Sequence, residues 1–130
     1  MLPIVRDYMD HVVVTVDPDM AILDCVHTLL DKKVTGAPVL DASGALVGIV
    51  TAKDCLRILS MGQNAQRPTG TVKDFMTKEL ITVPPTMNIY FAAGLFIGHT
   101  FRRLPVVDDG KLVGGITRFD ILRAISSHYK

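Results

Sequence analysis

Residues 34–54, VTGAPVLDASGALVGIVTAKD, and residues 101–120, FRRLPVVDDGKLVGGITRFD, are one pattern written twice. Each stretch begins with a short Pro-Val strand: Pro38-Val39-Leu40 in the first, Pro105-Val106-Val107 in the second. A polar turn follows, Asp41-Ala42-Ser43-Gly44 or Asp108-Asp109-Gly110. A second apolar strand comes next, Leu46–Val50 or Leu112–Ile116, and the stretch closes on Gly-x-x-Thr-x-x-Asp. Two β-branched runs flanking a Gly-bearing turn read as a β-hairpin. The second turn is one residue shorter, a difference that a surface turn tolerates.

The repeat extends upstream. A shift of 67 lays Val5-Arg6-Asp7-Tyr8-Met9 on Val72-Lys73-Asp74-Phe75-Met76, and Pro18 on Pro85. Val12–Val16 reads as a strand from its β-branched content. A helix is expected after it, with Asp19 or Thr86 as N-cap. Ile22, Cys25, Val26, Leu29 and Leu30 recur at helical spacing, as do Ile89, Ala92, Ala93, Phe96 and Ile97. Asp54 and Asp120 are expected to open a closing helix, running through Leu59 or Ile125. The order is β-α-β-β-α, twice, a mixed α+β class. The expected division is 5–59 for the first copy, 60–71 for a linker without periodicity, and 72–127 for the second.

Composition narrows the function. The 130 residues are 48% hydrophobic and 21% charged, with a formal net charge of +1. That charge balance speaks against a nucleic-acid partner. No apolar run approaches the roughly 18 residues that a membrane-spanning helix needs, and no leader pattern opens the chain. The expected compartment is a reducing cytoplasm. Cys25 and Cys55, without a Cys/His cluster, read as core thiols and carry no metal signal. No nucleophile–base pair, paired carboxylates or P-loop is present. The chain is therefore expected to be non-catalytic.

With two in-register copies on the page, the chain resembles a pair of cystathionine-β-synthase (CBS) domains, over about Val5 to Ile125. The resemblance implies a stand-alone pair of repeats packed around a pseudo-twofold axis. Two clefts between them would hold an adenosine derivative such as AMP, ADP, ATP or S-adenosylmethionine, as a regulatory ligand and with no obligatory cofactor. It also implies a homodimer acting on an effector protein. The alternative is a dimeric adaptor with empty clefts that works through protein contacts alone.

The same resemblance suggests the site residues. Asp54 and Asp120 would each accept both hydroxyls of a ribose, as a carboxylate can; an acidic residue at a helix start is also favoured by the helix dipole. Thr51 and Thr117 would donate to phosphate or ribose, or merely shape the turn. Main-chain groups of Val34-Thr35-Gly36-Ala37 and Phe101-Arg102-Arg103-Leu104 would read the adenine edge. Met9 and Val14 would line the first cleft and Met76 and Ile81 the second, or serve as ordinary core. Arg102 and Arg103 have Thr35-Gly36 as counterparts, so the copies differ there. They would reach the phosphate of a nucleotide held at Asp54 and make that cleft the tighter one for phosphates. Lys53 and Arg118 would add charge, or lie solvated on the surface. His99 is read as a helix-end residue.

Overall fold

The computed structural model describes residues 2–61 and 67–129. It divides into two compact units, Val14–Leu80 and Met1–Val13 with Ile81–Lys130. Each unit holds one hairpin, one long helix, a closing helical segment and a docked stretch from the other repeat.

In the first unit, α1 (Ile22–Lys32) precedes the antiparallel hairpin of β1 (Gly36–Leu40) and β2 (Leu46–Thr51). Two short helices follow, α2 (Ala52–Leu56) and α3 (Ile58–Met61), and later α4 (Val72–Phe75). The apolar stripe of α1 buries Ile22, Cys25 and Leu29, while Leu30 at the edge of the stripe is exposed. These join Val16, Ala37, Val39, Val50, Ile58, Val72 and Phe75 in one core. In the second unit, α5 (Ile89–Gly98) precedes β3 (Arg103–Asp108) and β4 (Lys111–Thr117), and α6 (Arg118–His128) closes the chain. Its core gathers Ile89, Ala92, Phe96, Leu104, Val106, Ile116, Ile121 and Ala124 around Val5 and Met9.

The expected leading strand is not formed in either copy. Val16 bridges Val39 and Val83 bridges Val106, each a single parallel pairing. The Val16 N–H donates to the Pro38 carbonyl and Leu40 N–H donates back to Val16, with the same exchange among Val83, Pro105 and Val107. Proline explains why the ladder stops. Pro38 and Pro105 have no N–H to donate, and Pro18 or Pro84-Pro85 turns the chain away. The N-caps also differ from expectation. α1 starts after Ala21, which makes no side-chain cap bond, and α5 after Asn88, whose side chain accepts from Phe91 N–H. Asp19 instead pairs with Lys73 at 2.9 Å, and Thr86 lies in an exposed turn. The closing helices begin at Ala52 and Arg118, two residues before the aspartates, and in the first copy Arg57 interrupts the helix.

The hairpin turns account for the one-residue offset between copies. Asp109 and Gly110 both have positive φ, 53° and 78°, as a two-residue turn of right-handed strand twist requires. The longer turn is organised by Asp41, whose carboxylate accepts from the N–H groups of Ser43 and Ala45. The Ser43 hydroxyl also donates to it, and these bonds hold its pKa below the ordinary carboxylate range.

The opening segments are exchanged between the repeats. Val5 N–H donates to Met87 and Ile89 N–H to Pro3, so residues 3–10 dock on the second repeat's helix and hairpin. In the same way Val72 N–H donates to Met20 and Ile22 N–H to Gly70, on the first repeat. The sequence repeat and the packed unit are therefore offset by one docked segment.

Candidate functional site

The Gly-x-x-Thr-x-x-Asp turn is built twice, once inside each unit. Thr51 ends β2 and caps α2. Its N–H donates to Asp54 Oδ2 at 3.0 Å, and Asp54 N–H donates back to Thr51 Oγ1 at 3.2 Å. Thr117 and Asp120 repeat this reciprocal capping at 2.9 and 3.2 Å. A Thr at the cap and an acid three residues on satisfy two orphan N–H groups at a helix start. The arrangement leaves both carboxylates partly exposed, with 13% of the Asp54 side chain and 15% of the Asp120 side chain accessible.

Two arginines that the sequence reading missed hold these carboxylates from behind. Arg57 Nη2 donates to Asp54 Oδ1 at 3.3 Å and Arg123 Nη2 to Asp120 Oδ1 at 3.0 Å. Each guanidinium also donates to a main-chain carbonyl of the docked opening segment, Arg57 to Phe75 and Arg123 to Tyr8. The signal was present: the doubled motif runs on to Gly-x-x-Thr-x-x-Asp-x-x-Arg in both copies.

The glycine of the motif answers to the same docked segment. A Cβ on Gly48 would stand 2.6 Å from Met76 Sδ, and one on Gly114 would stand 2.6 Å from the Asp10 carbonyl oxygen and 2.8 Å from Met9 Sδ. Asp10 pairs with Gly115 through both main-chain bonds, and Thr77 pairs with Ile49 at the matching position. Thus Met9 lies beside the turn that carries Asp120, and Met76 beside the turn that carries Asp54. This is the reverse of the grouping that repeat order suggested.

The other expected residues sort by burial. Ala37 and Leu104 are 1% exposed and belong to the two cores. Gly36 pairs with Thr51 and Arg103 with Thr117, which brings these segments alongside the turns. Thr35 accepts the Ala52 N–H at 2.8 Å through its carbonyl. Val14, Val34 and Met76 pack half-buried against the first core. Phe101 is held by Phe96 edge-on and by stacking on His99 at 5.0 Å. Arg102, Lys53 and Arg118 are exposed, Ile81 is 37% exposed, and Arg103 lays its stem over Gly115.

Cys25 is buried in the first core, and Cys55 packs partly buried against the same core. Burial, then the neighbouring Cys55, push the Cys25 thiol up to about 12. Burial and the adjacent Asp54 charge raise Cys55 as well. These are unreactive core thiols, as buried neutral sulfur should be.

A hairpin and two helices, doubled, with a cap-bound carboxylate at each strand end, define the class. The chain belongs to the CBS domain family, whose model matches residues 5–61 and 72–127. It is 35% identical over 135 residues to the chloroplastic CBS domain-containing protein CBSX2 of Arabidopsis thaliana, covering 84% of this chain and 57% of that one. It is 34% identical to CBS domain-containing protein YhcV of Bacillus subtilis, over 90% of this chain and 81% of that one. The chain spans about half the length of some of these relatives, and 44% of a 31%-identical protein, MJ1225, from Methanocaldococcus jannaschii. The crystal structure of CBSX2 in complex with AMP superposes with a TM-score of 0.84 at 36% identity, covering 98% of each chain. The CBS domain pair of MJ0100 in complex with 5-methylthioadenosine and S-adenosyl-L-methionine gives 0.82 at 26% identity, over 98% of this chain and 99% of that one. No helix among the described residues is long and apolar enough to cross a membrane.

Proposed function

We propose that this chain is a non-catalytic regulatory module that binds an adenosine-containing ligand through the Asp54 and Asp120 turns. The observation that carries the reading is the carboxylate built twice at a strand end. Each is fixed by a Thr main-chain N–H and an arginine and stays partly accessible. A fixed carboxylate suits the adjacent hydroxyls of a ribose, since it accepts two hydrogens without rearranging. Relatives of the same fold crystallised with AMP and with methylthioadenosine and S-adenosylmethionine support the adenosine class. Thermal unfolding with millimolar adenine nucleotides tests this. Ligand at 100 times its Kd adds about 2.7 kcal/mol of stability, and the double variant Asp54→Asn plus Asp120→Asn is expected to lose the shift. The absence of a shift with any adenosine derivative sinks the reading.

Arg102 and Arg103 are proposed as the phosphate grip, because no basic pair stands at Thr35-Gly36. Replacing both by Ala is expected to weaken AMP more than adenosine in calorimetry, by about tenfold or more for a lost charged hydrogen bond. Equal losses count against it.

A homodimer is proposed as the working form, with an effector protein reading its surface, most simply in a reducing cytoplasm. Support comes from α5, IYFAAGLFIG, which has no charged residue and leaves Phe91 70% and Ile97 86% exposed. Such a face is covered in most proteins of this size. The same observation favours the second reading, an adaptor whose clefts stay empty. Light scattering of the purified chain, with and without Ile97→Lys, reads the dimer. The nucleotide shift above separates sensor from adaptor.

A further inference from the structure

The two turns share reciprocal main-chain caps and arginines but differ in the hydroxyls that reach the carboxylate. At Asp54, the Thr77 hydroxyl lies 3.2 Å from Oδ1 and 3.3 Å from Oδ2 and donates across the carboxylate. Thr51 contributes its N–H and its hydroxyl, and Arg57 its guanidinium. That makes four donors on a group with about four acceptor positions. At Asp120, the Thr117 N–H and the Arg123 guanidinium are its only donors among the described residues. The register position of Thr77 is held there by Asp10, which pairs with Gly115 as Thr77 pairs with Ile49. An ionised Asp10 has no hydrogen to donate, and its Oδ1 accepts from Val12 N–H.

We propose that Thr77 is an internal competitor for the Asp54 carboxylate. It fills the acceptor positions that a vicinal diol needs, so that Asp120 is the ready carboxylate and Asp54 engages only after Thr77 lets go. This rests on the ribose reading above and adds which turn binds first and what restrains the other. It concerns the diol alone, and Arg102 and Arg103 act on a phosphate. Thr77 is exposed, so its side chain can rotate away without breaking the core. Asp10 at the corresponding place leaves the Asp120 edge free.

Adenosine is the probe, because it carries the diol and no phosphate. Calorimetry of the full chain is expected to resolve a tighter and a weaker step. Asp120→Asn removes the tighter one. Thr77→Val, close to Thr in shape but without the donor, tightens the weaker step by about tenfold, the scale of one hydrogen bond to a charged group. Asp10→Thr places a hydroxyl at the second turn and weakens the tighter step by a similar factor. The inference is overturned if Asp54→Asn removes the tighter step, or if Thr77→Val leaves the weaker one unchanged. The ribose reading fails separately if 2′,3′-dideoxyadenosine binds as well as adenosine, or if adenosine does not bind at all, and the inference then falls with it.

Discussion

Gly114 and Gly48 occupy the same place in the motif, yet they face different neighbours. A methyl group at Gly114 meets the Asp10 main-chain oxygen at 2.6 Å, which can move only if the Asp10–Gly115 pairing opens. A methyl group at Gly48 meets first the thioether of Met76, which can swing aside, since Met is the most adaptable apolar side chain. Gly114→Ala is therefore expected to cost about 3 kcal/mol and Gly48→Ala about 1 kcal/mol, on the scale of overpacked interiors. Urea unfolding of the two variants measures the order, and a larger loss for Gly48→Ala contradicts it. The doubled glycine, threonine and aspartate were legible from spacing alone. The arginine three residues further on is equally regular, but its role depends on the Phe75 and Tyr8 carbonyls of the docked segments, which the motif's spacing does not contain. Thr77 could not be found that way: its repeat partner is Asp10, so repetition hides it.

The helices show where local pattern was enough and where it was not. The apolar periodicity of α1 and α5 placed both helices, and Ile22, Cys25, Leu29, Ile89, Ala92 and Phe96 are buried as the stripe required. Their starts were misjudged, because the α1 and α5 first-turn N–H groups are met by the carbonyls of Gly70 and Pro3, which lie far off in sequence. The leading strand was over-read from β-branched content, since the proline opposite it limits pairing to one bridge. Cys25 gives this scale a pH test. Burial pushes its thiol up to about 12 from the ordinary value of 9.0, which the unfolded chain regains. Above pH 9 the unfolded chain loses that proton first, so stability falls as pH climbs from 9 towards 12. Cys25→Ala is expected to remove that share of the alkaline loss, measured as the difference in denaturant midpoint between pH 8 and pH 10.5. Parallel slopes for the two proteins would refute the assignment.

For the whole molecule, the segment exchange decides how the chain can be divided. Fragment 1–61 follows the sequence repeat but lacks Val72 and Phe75, which are buried in the first core. Fragment 14–80 carries that core complete. The second fragment is expected to unfold cooperatively and the first to lack a sharp transition, measured by circular dichroism on heating. A cooperative fragment 1–61 and an unfolded 14–80 would show that the docked segment contributes little. Each unit has its own core, so the expectation follows from burial: a core short of two large side chains loses several kcal/mol.

The sequence by itself determined the doubling, the two hairpins, the helical stripes and the position of Asp54 and Asp120 just beyond the strand ends. These follow from short-range rules: side-chain period, turn chemistry and capping act within a few residues. Only the tertiary structure decided which opening segment serves which turn. That choice depends on contacts distant in sequence, Asp10 with Gly115 and Thr77 with Ile49, where Val5 and Val72 present the same local pattern and chain connectivity and packing select between them. The same exchange sets Thr77 against Asp54 and leaves Asp120 open, so the two copies differ where their spacing makes them look alike.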